Sequence, residues 1–403
     1  MPAMGSVPPH QPDPRRRKLL VIAGEASSDL HCASLIRELR SLRPELEFVG
    51  IGGDNMRAQG VELFGHVREL GVVGVSEVLK KLGRILAAYR HAVRLLRSGE
   101  IAATIFVDYP DFNLRLAARA HRYKIPVLYY ISPQVWAWRR GRVKSISELV
   151  DEMLVLFEFE KELYERAGVH VRFVGHPLLD TVKPTQDKEA FLDLVGLDPD
   201  KPVIALLPGS RTSEIERLLP VFLEATRSTS SLLDSKPLQV ILALAKTIDP
   251  KLVARIMAPY PEVVVVRGQT YNALAASDAA IVASGTATLE AAILGVPMVV
   301  AYRVSSLTYL VGKLLVTVNH VALPNIIAGR RIVPELVQGD LTPKRLGGEL
   351  ALLLKDAGLR EQQKDELKRV TSLLGECGAS KRAAGVVAEF LSRRMPPHRS
   401  AGA

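Results

Sequence analysis

Short apolar runs, each ending in a cluster of Gly, Ser, Asp or Pro and each followed by helical spacing, recur along this chain from Lys18 to Ala301. A run such as Lys18–Ala23 lacks polar alternation, so it suits a strand buried on both faces, as in a parallel sheet covered by helices. It breaks at Gly24-Glu25-Ala26-Ser27-Ser28-Asp29, after which Leu30, Leu35, Ile36 and Leu39 fall at helical spacing. The same order follows residues 47–53, then 104–107 with the loop Asp108-Tyr109-Pro110-Asp111-Phe112-Asn113, then 127–131 with Ser132-Pro133-Gln134-Val135-Trp136. A Pro-containing polar interruption at 183–187 precedes a second series: Val203–Leu207 ending in Pro208-Gly209-Ser210-Arg211, then 238–244, 263–266, Ala279–Ala283 and 296–301. The expected fold is α/β, two facing doubly wound Rossmann-like domains, with ligands at the carboxyl ends of the strands. The expected division is a disordered leader over 1–17, domains over 18–184 and 185–378, and a C-terminal helix and tail over 379–403.

The 403 residues suffice for two such cores, and 48% hydrophobic with 24% charged residues are globular values. A net charge of +10 implies an acidic partner: nucleic acid, anionic lipid or a phosphorylated substrate. Cys32 and Cys377 are too far apart in sequence to form a metal or redox motif, which suits a reducing cytoplasm. The leader ends in Arg15-Arg16-Arg17-Lys18 and lacks the apolar run of a signal peptide. No stretch approaches the ~20 apolar residues of a membrane-spanning helix, so any membrane contact is expected to be peripheral.

The segment Ser284-Gly285-Thr286-Ala287-Thr288-Leu289-Glu290 follows an apolar strand and opens a helix. Backbone N–H groups gather at such a start and favour an anion. The hydroxyls of Ser284, Thr286 and Thr288 add donors, and Glu290, one turn after Thr286, could accept from a sugar diol. A nucleotide sugar fits both features.

The strings GEASSDLH, DYPDFN, YYISPQVWAWRRGRV, FVGHPLLD, LLPGSRTSEI, SGTATLEAAILGVPMVVAYR and ALPNIIAGR, in this order, resemble the lipid-A-disaccharide synthases, bacterial inverting glycosyltransferases of the GT-B fold. The resemblance runs from about Lys18 to about Gln338 and more loosely into the C-terminal helices, one of which it implies crosses back onto the first domain. It implies that UDP-2,3-diacylglucosamine and 2,3-diacylglucosamine 1-phosphate are joined into a β(1→6) disaccharide 1-phosphate, releasing UDP. Where the family pattern has Gly, this chain has Ser28 and Cys32, which puts the backbone's approach to a ligand in that loop in doubt.

Single displacement at an α-linked UDP sugar needs a base for the acceptor hydroxyl and positive or dipolar help for departing UDP. Asp108, directly after a strand, is the favoured base, with Glu25 the competing candidate; Pro110 stiffens the loop and Asn113 could cap the following helix. Asp111 is either a substrate contact or only a first-turn carboxylate favoured by the helix dipole. In PGSR, Gly209 lets the chain approach a phosphate, Ser210 adds donors and the Arg211 guanidinium can fork two phosphate oxygens; the plainer reading pairs Arg211 with Glu214 or Glu216. Glu25 and Ser27 suit acceptor binding. His176 either meets the nucleotide or packs at the domain hinge. The resemblance places Asn325 near the cleft, and Gln338 could touch donor or acceptor. Trp136 and Trp138 either stack on sugar or pack in the interior. No HExxH or clustered carboxylate pattern occurs, so neither metal nor organic cofactor is expected.

Between Arg68 and Arg97 stand seven Lys/Arg and two Asp/Glu, around an apolar helical stripe that includes Leu79, Leu82, Ile85 and Leu86. This is either a helix resting on an anionic bilayer or a core helix with snorkelling basic residues. Acylated substrates favour the first. The expectation is therefore an enzyme peripheral to the cytoplasmic face of the inner membrane, a homodimer by resemblance, with no nucleic-acid partner. A UDP-sugar 2-epimerase of the same fold gives no reason for the basic helix, and a nucleic-acid-binding protein would explain charge alone, without the aromatic interleaving of a single-strand platform.

Overall fold

A computed structural model describes residues 18–70, 75–133, 135, 141–233, 237–305, 309 and 319–394. The expected leader, Trp136 and Trp138 lie outside the described residues. Two parallel sheets carry the chain, in two compact units: 1–177 with 376–403, and 178–375.

In the first unit the strands are β1 (Lys18–Ala23), β2 (Glu47–Gly52), β3 (Glu62–His66), β4 (Ile101–Val107), β5 (Val127–Tyr130), β6 (Glu152–Val155) and β7 (Val171–Phe173), in the order β3-β2-β1-β4-β5-β6-β7. The apolar runs are buried as the sequence requires: Leu19 to Ala23 and Ile105 to Val107 are inaccessible to solvent. One face of the sheet forms a core of Leu20, Ile22, Phe106 and Tyr129 with Phe112, Leu116, Ala117 and Ala120 of the helix Pro110–Arg122. The C-terminal helix Ala379–Arg394 returns to this unit and packs on the helix Ala26–Leu42, where Arg43 Nη1 donates to Ser392 Oγ at 3.1 Å.

The second unit holds β8 (Val203–Leu207), β9 (Gln239–Leu244), β10 (Val264–Arg267), β11 (Ala279–Ala283), β12 (Met298–Tyr302) and β13 (Glu335–Val337), in the order β10-β9-β8-β11-β12-β13. Residues 178–184, placed in the first domain on sequence, belong here. Thr185 N donates to Asn272 Oδ1 at 2.7 Å, and the short helix Leu178–Thr181 packs on the helix Thr286–Ile293.

The basic apolar helix spans Val75–Ser98, and its stripe divides. Ala88, Ala92 and Leu96 are buried, and Ile85, Tyr89 and Val93 pack against the same core. Ile85 is thus a packing residue rather than one of an exposed set, because 85, 88/89, 92 and 96 share one face at the helical period. Leu82 and Leu86 are each 42% exposed. The side chain of Leu79 lies outside those described. No helix of the described residues is long and apolar enough to cross a membrane.

Candidate active site

In the first sheet the chain steps outward from β1 in one direction and from β4 in the other, so the crevice outside the carboxyl ends of β1 and β4 is a topological switch point, where doubly wound sheets bind ligands. Ala23 is registered with Val107, so the Gly24 and Asp108 loops leave the sheet side by side. Asp108 and Tyr109 both hold left-handed backbone, with φ of 48° and 50°. The Asp108 carbonyl oxygen accepts from Tyr129 Oη at 2.6 Å and from Asn113 Nδ2 at 2.7 Å. Asn113 is therefore not the helix cap expected from sequence; Tyr109 is the N-cap residue, and Asn113 reaches back from inside the helix. The Tyr109 ring lies against Gly24, where a Cβ would fall 2.2 Å from Tyr109 Cγ.

Burial raises the Asp108 carboxyl to about 6, helped by the charge of Glu25 and opposed by the Tyr109 N–H. A carboxylate so placed holds a proton more tightly than a solvated one, as a general base at neutral pH should. Glu25 is half-buried and Ser27 exposed. Ser28 and Cys32, which depart from the family pattern, are both buried in the helix Ala26–Leu42, away from the loop's open side.

The other candidates in this unit have structural partners. Asp111 is a surface carboxylate, 72% exposed, paired with Arg142 at 2.6 Å. His176 is buried, its ring 5.5 Å from that of Phe157 and 6.4 Å from that of His31. Burial lowers it to about 3, so the ring is neutral at pH 7.

The second sheet repeats the geometry. Leu207 is registered with Val282, and the switch point lies between the PGSR loop after β8 and the Ser284-Gly285 turn after β11. At PGSR the turn is already occupied by the chain's own carboxylate. Glu214 Oε2 accepts from Ser210 N at 2.9 Å and Arg211 N at 3.3 Å, and its Oε1 accepts from Arg211 Nη1 at 3.3 Å. Gly209, at φ +113°, has no room for a Cβ, which would fall 2.2 Å from Glu214 Oε2. Arg211 thus takes the Glu214 pairing, a surface contact worth little by itself.

At the following turn the hydroxyls divide. Ser284 Oγ donates to Val321 O at 2.7 Å and the buried Thr288 Oγ1 to Gly285 O at 2.7 Å, so these two protons are spent inside the fold rather than offered to an anion. Thr286 and Gly285 are exposed at the helix start. Glu290 is part-buried and accepts from Tyr271 Oη at 3.3 Å; burial raises its pKa. Tyr271 carried no signal in sequence.

Asn325 and Gln338, expected near the cleft, both have their side chains bonded within the fold. Asn325 is fully buried: its Oδ1 accepts from Ile332 N (2.7 Å) and Val333 N (2.9 Å), and its Nδ2 donates to Val333 O (2.9 Å) and Glu335 Oε1 (2.7 Å). Glu335 in turn accepts from the amides of Val321 and Ala322, which steadies the carbonyl that Ser284 uses. Gln338 clamps Val304, accepting from its N–H at 2.8 Å and donating to its carbonyl at 3.2 Å. Among the described residues no group of three or more His, Cys, Asp or Glu is placed to hold a metal ion.

Two parallel doubly wound sheets with loops converging at both switch points define the GT-B fold, and solved structures agree. An S. aureus MnaA-UDP co-structure is similar with a TM-score of 0.62 at 13% identity, covering 93% of this chain and 97% of that one. The calicheamicin glycosyltransferase CalG4 gives 0.58 at 18%, covering 95% and 100%. Residues 19–389 match the family described as lipid-A-disaccharide synthetase. Lipid-A-disaccharide synthases of Geobacter metallireducens and Syntrophus aciditrophicus are 47% and 46% identical, covering 94% and 91% of this chain and 98% and 96% of those proteins. The chain belongs to the lipid-A-disaccharide synthase family and is a glycosyltransferase of lipid A biosynthesis.

Proposed function

We propose that the chain transfers 2,3-diacylglucosamine from its UDP conjugate to the 6-hydroxyl of 2,3-diacylglucosamine 1-phosphate by a single inverting displacement. The observation that carries this reading is the carboxyl of Asp108, held at a switch point, part-buried and raised to about 6. Asp108 takes the acceptor's hydroxyl proton, the oxygen attacks the anomeric carbon, and the bond to the UDP oxygen breaks with its electron pair leaving on UDP. Glu25 beside it raises its proton affinity, and Ser27 on the open side of the loop contacts the acceptor. In the second unit Glu290 receives the ribose diol and Thr286 with the helix amides receives the pyrophosphate. Arg211 offsets the charge on departing UDP once phosphate displaces the Glu214 carboxylate from the Ser210 and Arg211 amides.

This assignment predicts an acid limb in kcat/KM. The base works ionised, so activity should rise with pH through about 6 and level above it. Steady-state rates of UDP release from pH 4.5 to 8.5 would show it, and a limb at the ordinary Asp value near 4 would remove Asp108 from the role. UDP-sugar 2-epimerases share the fold; such an enzyme would turn over the donor with no acceptor present.

We also propose that the Val75–Ser98 helix rests on the anionic cytoplasmic face of the inner membrane, where acylated substrates reside. Leu82 and Leu86 are exposed beside Arg84 and Arg90. Replacing both leucines by Ser removes about 1–2 kcal/mol of apolar transfer, roughly a tenfold loss in partition to anionic vesicles at unchanged thermal stability. Unaltered sedimentation with vesicles would leave the helix as core packing alone.

A further inference from the structure

Asp108 and Tyr109 are consecutive non-glycine residues in the left-handed region, a conformation that persists only where the surroundings over-determine it. What over-determines it here is one carbonyl. Both lone pairs of the Asp108 oxygen are taken, by Tyr129 Oη at 2.6 Å and Asn113 Nδ2 at 2.7 Å. The two donors come from different elements, β5 and the helix Pro110–Arg122, and both side chains are inaccessible to solvent. A third hold is the Asp108 N–H, which donates to Tyr130 O at 3.2 Å. Neither Tyr129 nor Asn113 touches the Asp108 carboxylate through these bonds; they hold the peptide that carries it.

We infer that Tyr129 and Asn113 are positioning residues for the transfer reaction, a two-donor latch on the Asp108 carbonyl that keeps the left-handed turn and so presents the carboxylate to the acceptor hydroxyl. This rests on the reading of Asp108 as the base. A latch of this kind acts on the geometry of the attacking group and leaves donor affinity alone, because the nucleotide residues proposed above lie in the other unit. With the latch opened, the backbone relaxes toward an ordinary conformation and the carboxylate toward solvent, so its affinity for a proton falls toward that of a free aspartate.

The test compares Tyr129→Phe, which removes one buried oxygen and keeps the ring, with Asn113→Ala and Asp108→Asn, in the full chain. Misplacing a reacting group by about 1 Å costs up to roughly 100-fold. Tyr129→Phe and Asn113→Ala are each expected to lower kcat about 10- to 100-fold, with KM for the UDP-sugar within about twofold and UDP affinity by calorimetry unchanged. The acid limb of the pH profile should move down from about 6 in both. Asn113→Asp, which puts an acceptor against the carbonyl, should be at least as slow, whereas Asn113→Gln, which keeps a donor, should recover part of the rate. If either latch variant binds UDP normally and keeps both wild-type kcat and the wild-type acid limb, the latch is overturned. If Asp108→Asn itself turns over at the wild-type rate, the base assignment fails, a result distinct from failure of the latch alone.

Discussion

Asp108→Asn is expected to abolish transfer, by 10³-fold or more, while binding UDP as the wild type does and unfolding at a higher temperature above pH 6. The loss follows from removing the proposed proton acceptor; general-base contributions are about 10²–10⁴-fold. The gain in stability follows from the same burial that tunes the group. Raising the folded-state value from 3.8 to about 6 means the native state resists ionisation more than the unfolded chain does. Well below pH 4 both states are protonated and the wild type bears no penalty. Between pH 4 and 6 the unfolded chain ionises first and stability falls; above 6 the full penalty, at most about 3 kcal/mol, stands. Asparagine carries no charge at any pH. The variant's advantage in thermal melts should therefore be small at pH 4, grow between 4 and 6, and stay nearly constant above that to pH 8.5. A lower melting temperature at pH 8 would mean that Asp108 is a stabilising carboxylate, contrary to the account.

Gly24→Ala should be nearly as damaging to activity while leaving every polar group in place. The added methyl would fall 2.2 to 2.7 Å from three atoms of the Tyr109 ring, which stacks on Phe112 at 5.4 Å and therefore has packing to lose. Overpacking of this kind typically costs 1–3 kcal/mol. Relief requires moving Tyr109, which belongs to the same left-handed pair as Asp108, so the Asp108 carboxylate moves with it. We expect a loss of 10- to 100-fold in kcat with a melting temperature lower by several degrees. Wild-type turnover with an alanine at 24 would show that the ring position is irrelevant to the base.

The alternation of apolar runs with polar loops was enough to read the central strands of both sheets and the ends that carry the candidate site, whereas the short strands β3, β6, β7 and β13, of three to five residues each, gave no comparable apolar run. Positions of Glu25, Asp108, PGSR and the Ser284 turn follow from the same pattern. Hidden from it were the partners that come from afar. Tyr129 lies 21 residues from the carbonyl it holds, and the Tyr109 ring crosses to Gly24 on another loop. Hydroxyl direction was equally illegible: Ser284 and Thr288 are donors by type, but only the fold decides that their protons go to Val321 and Gly285. Glu214 stands three residues after Arg211, the spacing of a capping box, so its hold on the PGSR amides was within reach of a sequence reading. The Val75–Ser98 stripe shows the limit of periodicity, which groups Ile85 with Leu82 and Leu86 although only the latter two remain exposed.

The most direct measurement of the central claim is release of UDP by the purified chain given UDP-2,3-diacylglucosamine, 2,3-diacylglucosamine 1-phosphate, or both. UDP release is expected in proportion to a β(1→6)-linked disaccharide 1-phosphate when both are present, and only at background with either alone. Release of UDP or epimerised donor without the acceptor, or no release with both, would contradict the proposed transfer.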